Sequence, residues 1–253
     1  MSDSADPTTA PTVVLVHGAF ADASSWTGVI ERLLAKDVEV IAPANPLRGI
    51  AEDSAYTASV FDQIPGPVLA VGHSYGGAVI TNAATRASNV VGLVYVAAFA
   101  PDEGEKLGEV EAGSKDSVLG TAQVARQYPT ADGGMAGEVY IDPAKVQAAF
   151  AGDLSADQAA LIAATQRPVS EFAFSEPNGP PAWKHLPSWA VVATGDKAAG
   201  ADVVRAEAER AGAKITAIEG SHVIMISQPE AVTEVIIEAL AAVRSGAAVA
   251  TPA

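Results

Sequence analysis

Short apolar runs alternate with amphipathic stretches along the first hundred residues of the chain. Each run is rich in valine and too short for a helix, and the runs cover residues 12–16, 38–42, 68–71 and 90–99. Such runs predict strands buried on both faces of a sheet. Between them, apolar residues recur at spacings of three and four, which predicts helices at about 24–37 and 52–64 and another after residue 74. The alternation predicts a parallel sheet with helices on both faces.

This regular alternation stops near Asp102 and resumes at Ser188. The intervening residues contain short segments of helical character, a Gly-rich link at 132–134 and a Pro-rich exit at 177–181, but no convincing buried strand. We therefore predict a helical cap over 101–187, inserted after the fourth strand. The rest of the chain predicts two further strands and two helices, at 188–193, 214–218, 201–211 and 229–244.

The predicted fold class is α/β, with a mostly parallel sheet of about six strands. Its core would comprise residues 12–100 and 188–246, with disordered tails at 1–11 and 247–253. A chain of 253 residues is compatible with one domain carrying an insertion.

Charge and cysteine content narrow the classes of function. The net charge is −15 with a pI near 4.5, so phosphate backbones and anionic membrane surfaces would be repelled, and we expect neither nucleic-acid nor membrane binding. The absence of cysteine excludes disulfides, thiolate catalysis and Cys-based metal sites. The first residues lack the basic and apolar regions of a secretory signal, and no apolar run is long enough to cross a bilayer, so a cytoplasmic protein is expected. A homodimer is compatible with the sequence.

The stretch PVLAVGHSYGGAVIT, from Pro67 to Thr81, predicts a strand, a sharp turn and a helix, with Ser74 at the turn. Gly72 and Gly76 lie two residues before and after the serine, which gives the pattern G-x-S-x-G. The pattern also occurs by chance in ordinary tight turns. Between a buried strand and an apolar helix, however, it indicates a nucleophile elbow, which holds a serine Oγ clear of the backbone.

A serine nucleophile needs a general base, and the chain contains four histidines. We expect His17 to hold the loop after the first strand, His73 to be buried beside the serine without reaching its Oγ, and His185 to be a partly exposed residue. His222 follows the last strand and precedes the last helix, at the carboxyl edge of the sheet where the elbow also lies. His222 is the predicted base.

The acid that orients this base should follow the penultimate predicted strand. Asp196 lies just beyond that strand, and the order Ser74, Asp196, His222 fits a catalytic triad. An Asp beside a Gly is also a common turn residue. Asp202 and Asp102 remain alternatives, because a triad requires geometry rather than a fixed position in the chain.

Acyl transfer also needs backbone donors for the developing oxyanion. The N–H of Tyr75, next to the serine, is one candidate, and the N–H of Ala19 or Phe20 in the first loop is the other. Aromatic residues around these loops could wall the substrate pocket, and the candidates are Phe20, Tyr75, Phe99 and Trp183.

These motifs together resemble the α/β-hydrolase superfamily, over about residues 12–244. Within it, the segments 98–104 and 227–229 resemble a branch of small bacterial esterases related to plant methylesterases and hydroxynitrile lyases. The lyases of that branch add a Lys after the base and a Thr in the oxyanion loop. This chain has Val223 and Gly18 at those positions, which disfavours cyanohydrin cleavage.

The sequence therefore predicts a serine carboxylic-ester hydrolase that acts on small-molecule esters through an acyl-enzyme on Ser74. A hydroxynitrile-lyase-like or carbon–carbon-bond-cleaving enzyme with the same triad is the main alternative, and a catalytically silent binding protein is the other. No metal or organic cofactor is implied, since the chain lacks a ligand cluster and a dinucleotide-binding motif.

Overall fold

The computed structural model describes residues 10–245. Its strands in chain order are β1 (Thr12–Val16), β2 (Val40–Ile41), β3 (Val68–His73), β4 (Val90–Val96), β5 (Gln123–Pro129), β6 (Met135–Ile141), β7 (Val169–Ser170), β8 (Ser188–Ala193) and β9 (Lys214–Ile218). Its α-helices are α1 (Thr27–Leu34), α2 (Ile50–Asp62), α3 (Tyr75–Ala83), α4 (Leu107–Ala112), α5 (Leu119–Ala122), α6 (Val146–Ala149), α7 (Ala156–Thr165), α8 (Glu171–Ser175), α9 (Ala201–Arg210), α10 (Ile224–Ser227) and α11 (Pro229–Ser245). The predicted disordered tails lie largely outside the described residues.

Six strands form one parallel sheet in the order β2-β1-β3-β4-β8-β9. The central strands β1, β3 and β8 are buried at every residue, because helices cover both faces. On the sheet, α1 packs against α11 and α2 against α3. The predicted α/β class with about six parallel strands is confirmed. None of the helices within residues 10–245 is long and apolar enough to cross a bilayer.

Two local predictions in the core are wrong in detail. The fourth strand ends at Val96 rather than residue 99, because Ala97 adopts a positive φ of 45° and turns the chain out of the sheet. Residues 97–100 are buried although they lie beyond the strand, so the apolar run at 90–99 includes a buried strand and a buried loop. The helix predicted at about 24–37 begins as a 3₁₀ turn at Ala23–Trp26, which the Asp22 carboxylate caps by accepting the N–H of Ser24 at 2.8 Å, and it ends at Leu34.

The prediction of a helical cap over 101–187 requires correction. Besides α4 to α8, this segment contains the antiparallel sheet β5-β6-β7, whose first two strands form a hairpin across Asp132–Gly134. Strand β5 is exposed along most of its length, so it carries no buried apolar run in the sequence. Helix α7 begins at a capping box between Ser155 and Gln158, whereas Pro143 lies in a turn that precedes α6.

A buried carboxylate links the end of β4 to α9. Glu207 is 4% exposed, and its Oε2 accepts the backbone N–H of Ala100 at 2.9 Å. Its Oε1 lies 3.4 Å from Arg210, which pairs more closely with Glu105. Burial raises the pKa of Glu207 from its ordinary value of 4.5 to about 7.

This shift predicts a pH-dependent difference between Glu207→Gln and the native protein. Between pH 4.5 and 7 the unfolded chain releases the Glu207 proton while the folded chain retains it, so this carboxyl lowers stability as the pH rises. Glutamine can still accept from Ala100 and does not ionise. The unfolding free energy of the variant relative to the native protein should therefore increase by about 2–3 kcal/mol from pH 4.5 to pH 8. Urea unfolding at several pH values measures it, with exposed Glu209→Gln as control; a difference that stays constant with pH contradicts the prediction.

Candidate active site

Ser74 lies between β3 and α3 with φ 54° and ψ −125°, a backbone conformation that side-chain-bearing residues rarely adopt. The flanking glycines, Gly72 and Gly76, are needed because neither position has room for a Cβ atom. A Cβ on Gly72 would lie 2.5 Å from the carbonyl oxygen of Gly76, and a Cβ on Gly76 would collide with the carbonyl oxygen of Val16. The serine is 7% exposed. Its backbone angles and the two crowded glycines show that the structure has the predicted elbow at this position.

His222 and Asp196 form a buried pair at the carboxyl edge of the sheet. The Nδ1 of His222 lies 2.8 Å from Oδ2 of Asp196, and both side chains are 1% exposed. The other carboxylate oxygen, Oδ1, accepts the backbone N–H groups of Ala198 and Ala199 at 2.8 and 3.1 Å. Asp196 is thus both a turn residue and the partner of His222.

The two other candidate acids have different partners. Asp202 accepts from Ser114 Oγ at 2.5 Å and from the Lys115 N–H at 2.9 Å. Asp102 forms a salt bridge of 2.6 Å with Lys184. Within residues 10–245 neither is hydrogen-bonded to His222, so Asp196 is the acid that the geometry supports.

The elbow and the His222 loop are joined through His73. Its Nε2 lies 3.0 Å from the His222 carbonyl oxygen, which can only accept, so Nε2 carries the proton. The His73 and His222 ring centroids are 4.7 Å apart. Burial lowers the pKa of His73 well below its ordinary value, so His73 stays neutral. Ser74 Oγ and His222 make no hydrogen bond with each other in the described chain, a feature that is common in unliganded enzymes.

His17 and His185 lie where the sequence predicted. The Nε2 of His17 accepts the Asn45 N–H at 2.9 Å, and its Nδ1 donates to the Gly18 carbonyl at 2.9 Å, so the ring fixes the first loop. Burial lowers the pKa of His17 to about 4. His185 is exposed at the exit of the cap.

The first loop lies directly against Ser74. A Cβ on Gly18 would lie 2.7 Å from Ser74 Cβ, which shows how little space separates the two segments. Phe20 has a positive φ of 61°, and the loop turns there. Within residues 10–245, the backbone N–H groups of Ala19, Phe20 and Tyr75 have no acceptor. These free donors border Ser74 on two sides.

Comparison with known proteins agrees with this geometry. The sequence matches the profile of the Alpha/beta hydrolase family over residues 13–235. The chain belongs to the α/β-hydrolase family. No protein of curated function matches its sequence.

Solved structures of other α/β-hydrolases superimpose over nearly the whole chain. Polyneuridine aldehyde esterase matches with a TM-score of 0.76 and 21% identity, covering 91% of this chain and 99% of its own. A methylesterase from Arabidopsis has a TM-score of 0.75, 18% identity and coverages of 91% and 99%. A variant of tomato methylketone synthase I, complexed with β-ketoheptanoate, has a TM-score of 0.76, 19% identity and coverages of 93% and 99%. At these identities the likeness establishes the shared fold.

Around the serine of this α/β-hydrolase, aromatic side chains from core and cap form a cluster. The Phe20 ring contacts Phe150 and Phe174 at centroid distances of 6.2 and 6.5 Å, and Phe174 lies 6.2 Å from Tyr75. Phe150 also contacts the His222 ring at 5.0 Å. Sequence reasoning named Phe20 and Tyr75 but missed Phe150 and Phe174, since both are cap residues and no periodicity in the cap indicates which side chains face the core.

The two other predicted wall residues, Phe99 and Trp183, make contacts of a different kind. Phe99 is buried, and its backbone N–H donates to the Ser74 carbonyl at 3.3 Å, so this residue contacts the elbow through its backbone. Trp183 donates Nε1 to the Pro101 carbonyl at 3.1 Å and contacts Lys184. It links the exit of the cap to the core, and its place in the substrate pocket stays a prediction.

The Tyr75 hydroxyl is bound to a buried carboxylate. It donates to Oδ2 of Asp53 at 2.7 Å, and Asp53, fully buried, also accepts from the Arg48 N–H at 3.1 Å. Burial raises the pKa values of both Asp53 and Tyr75. The tyrosine side chain thus anchors the start of α3 to α2.

We expect Tyr75→Phe to lower stability more than activity. The substitution keeps the backbone N–H and removes one donor to a buried carboxylate, so the unfolding free energy should fall by about 1.5–3 kcal/mol. Per folded molecule, kcat/KM for an activated ester should stay within about threefold of the native value. Chemical denaturation and steady-state kinetics measure the two effects, with exposed Tyr56→Phe on α2 as control. A large loss of kcat without loss of stability would contradict it.

Proposed function

We propose that this protein is a serine hydrolase that cleaves carboxylic esters of small molecules through an acyl-enzyme on Ser74. The observation that carries the proposal is the buried His222–Asp196 pair, joined through His73 to an elbow that presents Ser74. Membership of the α/β-hydrolase family supports it.

In the proposed mechanism Ser74 Oγ attacks the acyl carbon while His222 Nε2 removes its proton. Asp196 accepts from His222 Nδ1–H, which keeps the imidazole in the tautomer with a free Nε2 and stabilises the imidazolium that forms. His222 then gives the proton to the leaving alcohol. Water attacks the acyl-enzyme by the same route, and this releases the acid and restores Ser74.

Negative charge develops on the carbonyl oxygen in both steps, and the free N–H groups of Tyr75 and of Ala19 or Phe20 would hold it. The donors belong to a fixed turn and to a loop held by His17, so little reorganisation is needed during reaction. Such a mechanism needs no metal or organic cofactor.

Lyase activity or carbon–carbon-bond cleavage remains the second candidate function, because one structural neighbour is a methylketone synthase. Two features of this chain disfavour cyanohydrin cleavage. Val223 has no polar group to offer beside His222, and a side chain at position 18 would meet Ser74 Cβ.

A substrate panel separates the two chemistries. We expect p-nitrophenyl esters to be hydrolysed and a fluorophosphonate probe to label Ser74, while mandelonitrile, a β-diketone and a β-keto acid remain unchanged. Turnover of any of the last three at a rate above that of the esters would overturn the proposal. Absence of both labelling and turnover would favour a binding protein.

A further inference from the structure

A cavity of about 300 Å³ lies between helix α7 of the cap and the 3₁₀ turn that precedes α1. Its walls are mostly apolar, and its main lining residues are Phe20, Phe150, Leu161, Ile162, Val223 and Ile226. Hydroxyl groups and one carboxylate, from Ser24, Ser25, Thr165 and Asp22, also line it. We call this cavity the α7 groove.

The α7 groove borders the candidate active site at two aromatic residues, Phe20 and Phe150. Phe20 follows the proposed oxyanion donor Ala19, and the Phe150 ring contacts that of His222. Val223 directly follows His222. Ser74 does not line the groove, and Phe20 and Phe150, whose rings touch edge to face, both belong to its wall.

One apolar residue of the α7 groove is largely exposed to water, while Phe20, Phe150 and Val223 are buried. Leu161 is 66% exposed, although it belongs to the most regular helix of the cap. An apolar ligand in the groove would remove this surface from water. Cationic side chains are absent from the lining and Asp22 is present, so a neutral ligand is favoured over a carboxylate or phosphate.

We propose that the α7 groove binds the apolar chain of a neutral ester whose carbonyl is held at Ser74. This inference rests on the proposed function and names its substrate class: esters with an extended aliphatic or aromatic group. The chain belongs to either the acyl or the alcohol part, and in both cases it passes Phe150. Leu161 and Ile162 then determine the preferred length.

The test compares substrate selectivity in Leu161→Trp and Ile162→Trp, which fill the groove, with the native protein. Two series are used: p-nitrophenyl esters from acetate to octanoate, and acetates of alcohols from methanol to hexanol. Each methylene buried in the groove should raise native kcat/KM up to about fourfold. In one series, the ratio of kcat/KM for the longest to the shortest ester should fall at least tenfold in both variants. The responding series identifies the part of the ester that the groove holds.

Leu34→Trp is the matched control, because Leu34 is also an exposed helical leucine but lies on α1 outside the groove. It should leave both ratios unchanged. Ratios that stay native in both groove variants overturn the inference. A changed sedimentation coefficient of Leu161→Trp with an unchanged kcat/KM ratio also overturns the inference, because Leu161 would then be a contact between two copies of the chain.

A binding measurement keeps this inference separate from the proposed function. The neutral dye N-phenyl-1-naphthylamine is titrated into Ser74→Ala protein, with and without Leu161→Trp. We expect the second substitution to raise the Kd at least tenfold, even if no ester is hydrolysed by the native protein. Dye binding that is insensitive to Leu161→Trp and Ile162→Trp contradicts the groove assignment whatever the enzymatic activity.

Discussion

Ser74→Ala is expected to lower kcat for p-nitrophenyl acetate by about 10⁴-fold or more, with little change in stability. Without Oγ no acyl-enzyme can form, and only the backbone donors and the binding of substrate continue to assist attack by water. Alanine has almost the volume of serine and no greater clash at φ 54°, so the elbow should keep its conformation.

Three measurements test this effect. Steady-state kinetics give kcat, labelling by a fluorophosphonate reports the nucleophile, and thermal unfolding checks the fold. Ser59→Ala, an exposed serine on α2, is the matched control and should keep native rates and labelling. Residual activity above about 1% of native, with labelling lost, would mean that the hydrolysis does not pass through Ser74.

The features that could be predicted from the sequence are those whose determinants are local. A valine-rich run too short for a helix specifies a buried strand, and a serine between two glycines specifies the turn from β3 to α3. The proposed nucleophile, and the proposed base as one of four histidines, are inferred from such patterns and from their order. Chain order alone left three candidate acids, and only tertiary structure places Asp196 and not Asp202 or Asp102 against His222.

The features that could not be predicted depend on contacts between distant segments. Strand β5 is stabilised by pairing with β6 and faces solvent, so no apolar run marks it. Phe150 and Phe174 reach the site because the cap folds back over the sheet, and neither has a sequence neighbour that indicates this. The role of Asp53 as acceptor for Tyr75 likewise arises from the packing of α2 on α3.

Asp196→Asn is expected to lower kcat by about 10⁴-fold while the protein stays folded. Oδ1 of Asp196 accepts two backbone N–H groups, from Ala198 and Ala199, and these donors determine how an asparagine would orient. The amide oxygen of asparagine must take that position, and its NH₂ group then faces Nδ1 of His222. An NH₂ group can only donate, so Nδ1 becomes the acceptor and the ring proton moves to Nε2. Nε2 is the atom that must remove the Ser74 proton, so the base is blocked by the wrong tautomer.

Two other carboxylates, Asp202 and Asp102, provide matched controls. Asp202→Asn and Asp102→Asn change carboxylates that are not bonded to His222, so each should stay within a few-fold of native kcat. Because hydroxide can remove the Ser74 proton in place of the blocked base, the activity of Asp196→Asn should rise with pH well above neutrality, where native activity has levelled off. A loss of less than tenfold in Asp196→Asn, or a large loss in Asp202→Asn or Asp102→Asn alone, would assign the orienting acid elsewhere. A loss confined to Asp196→Asn, with this pH profile, would assign the orientation of His222 to Asp196.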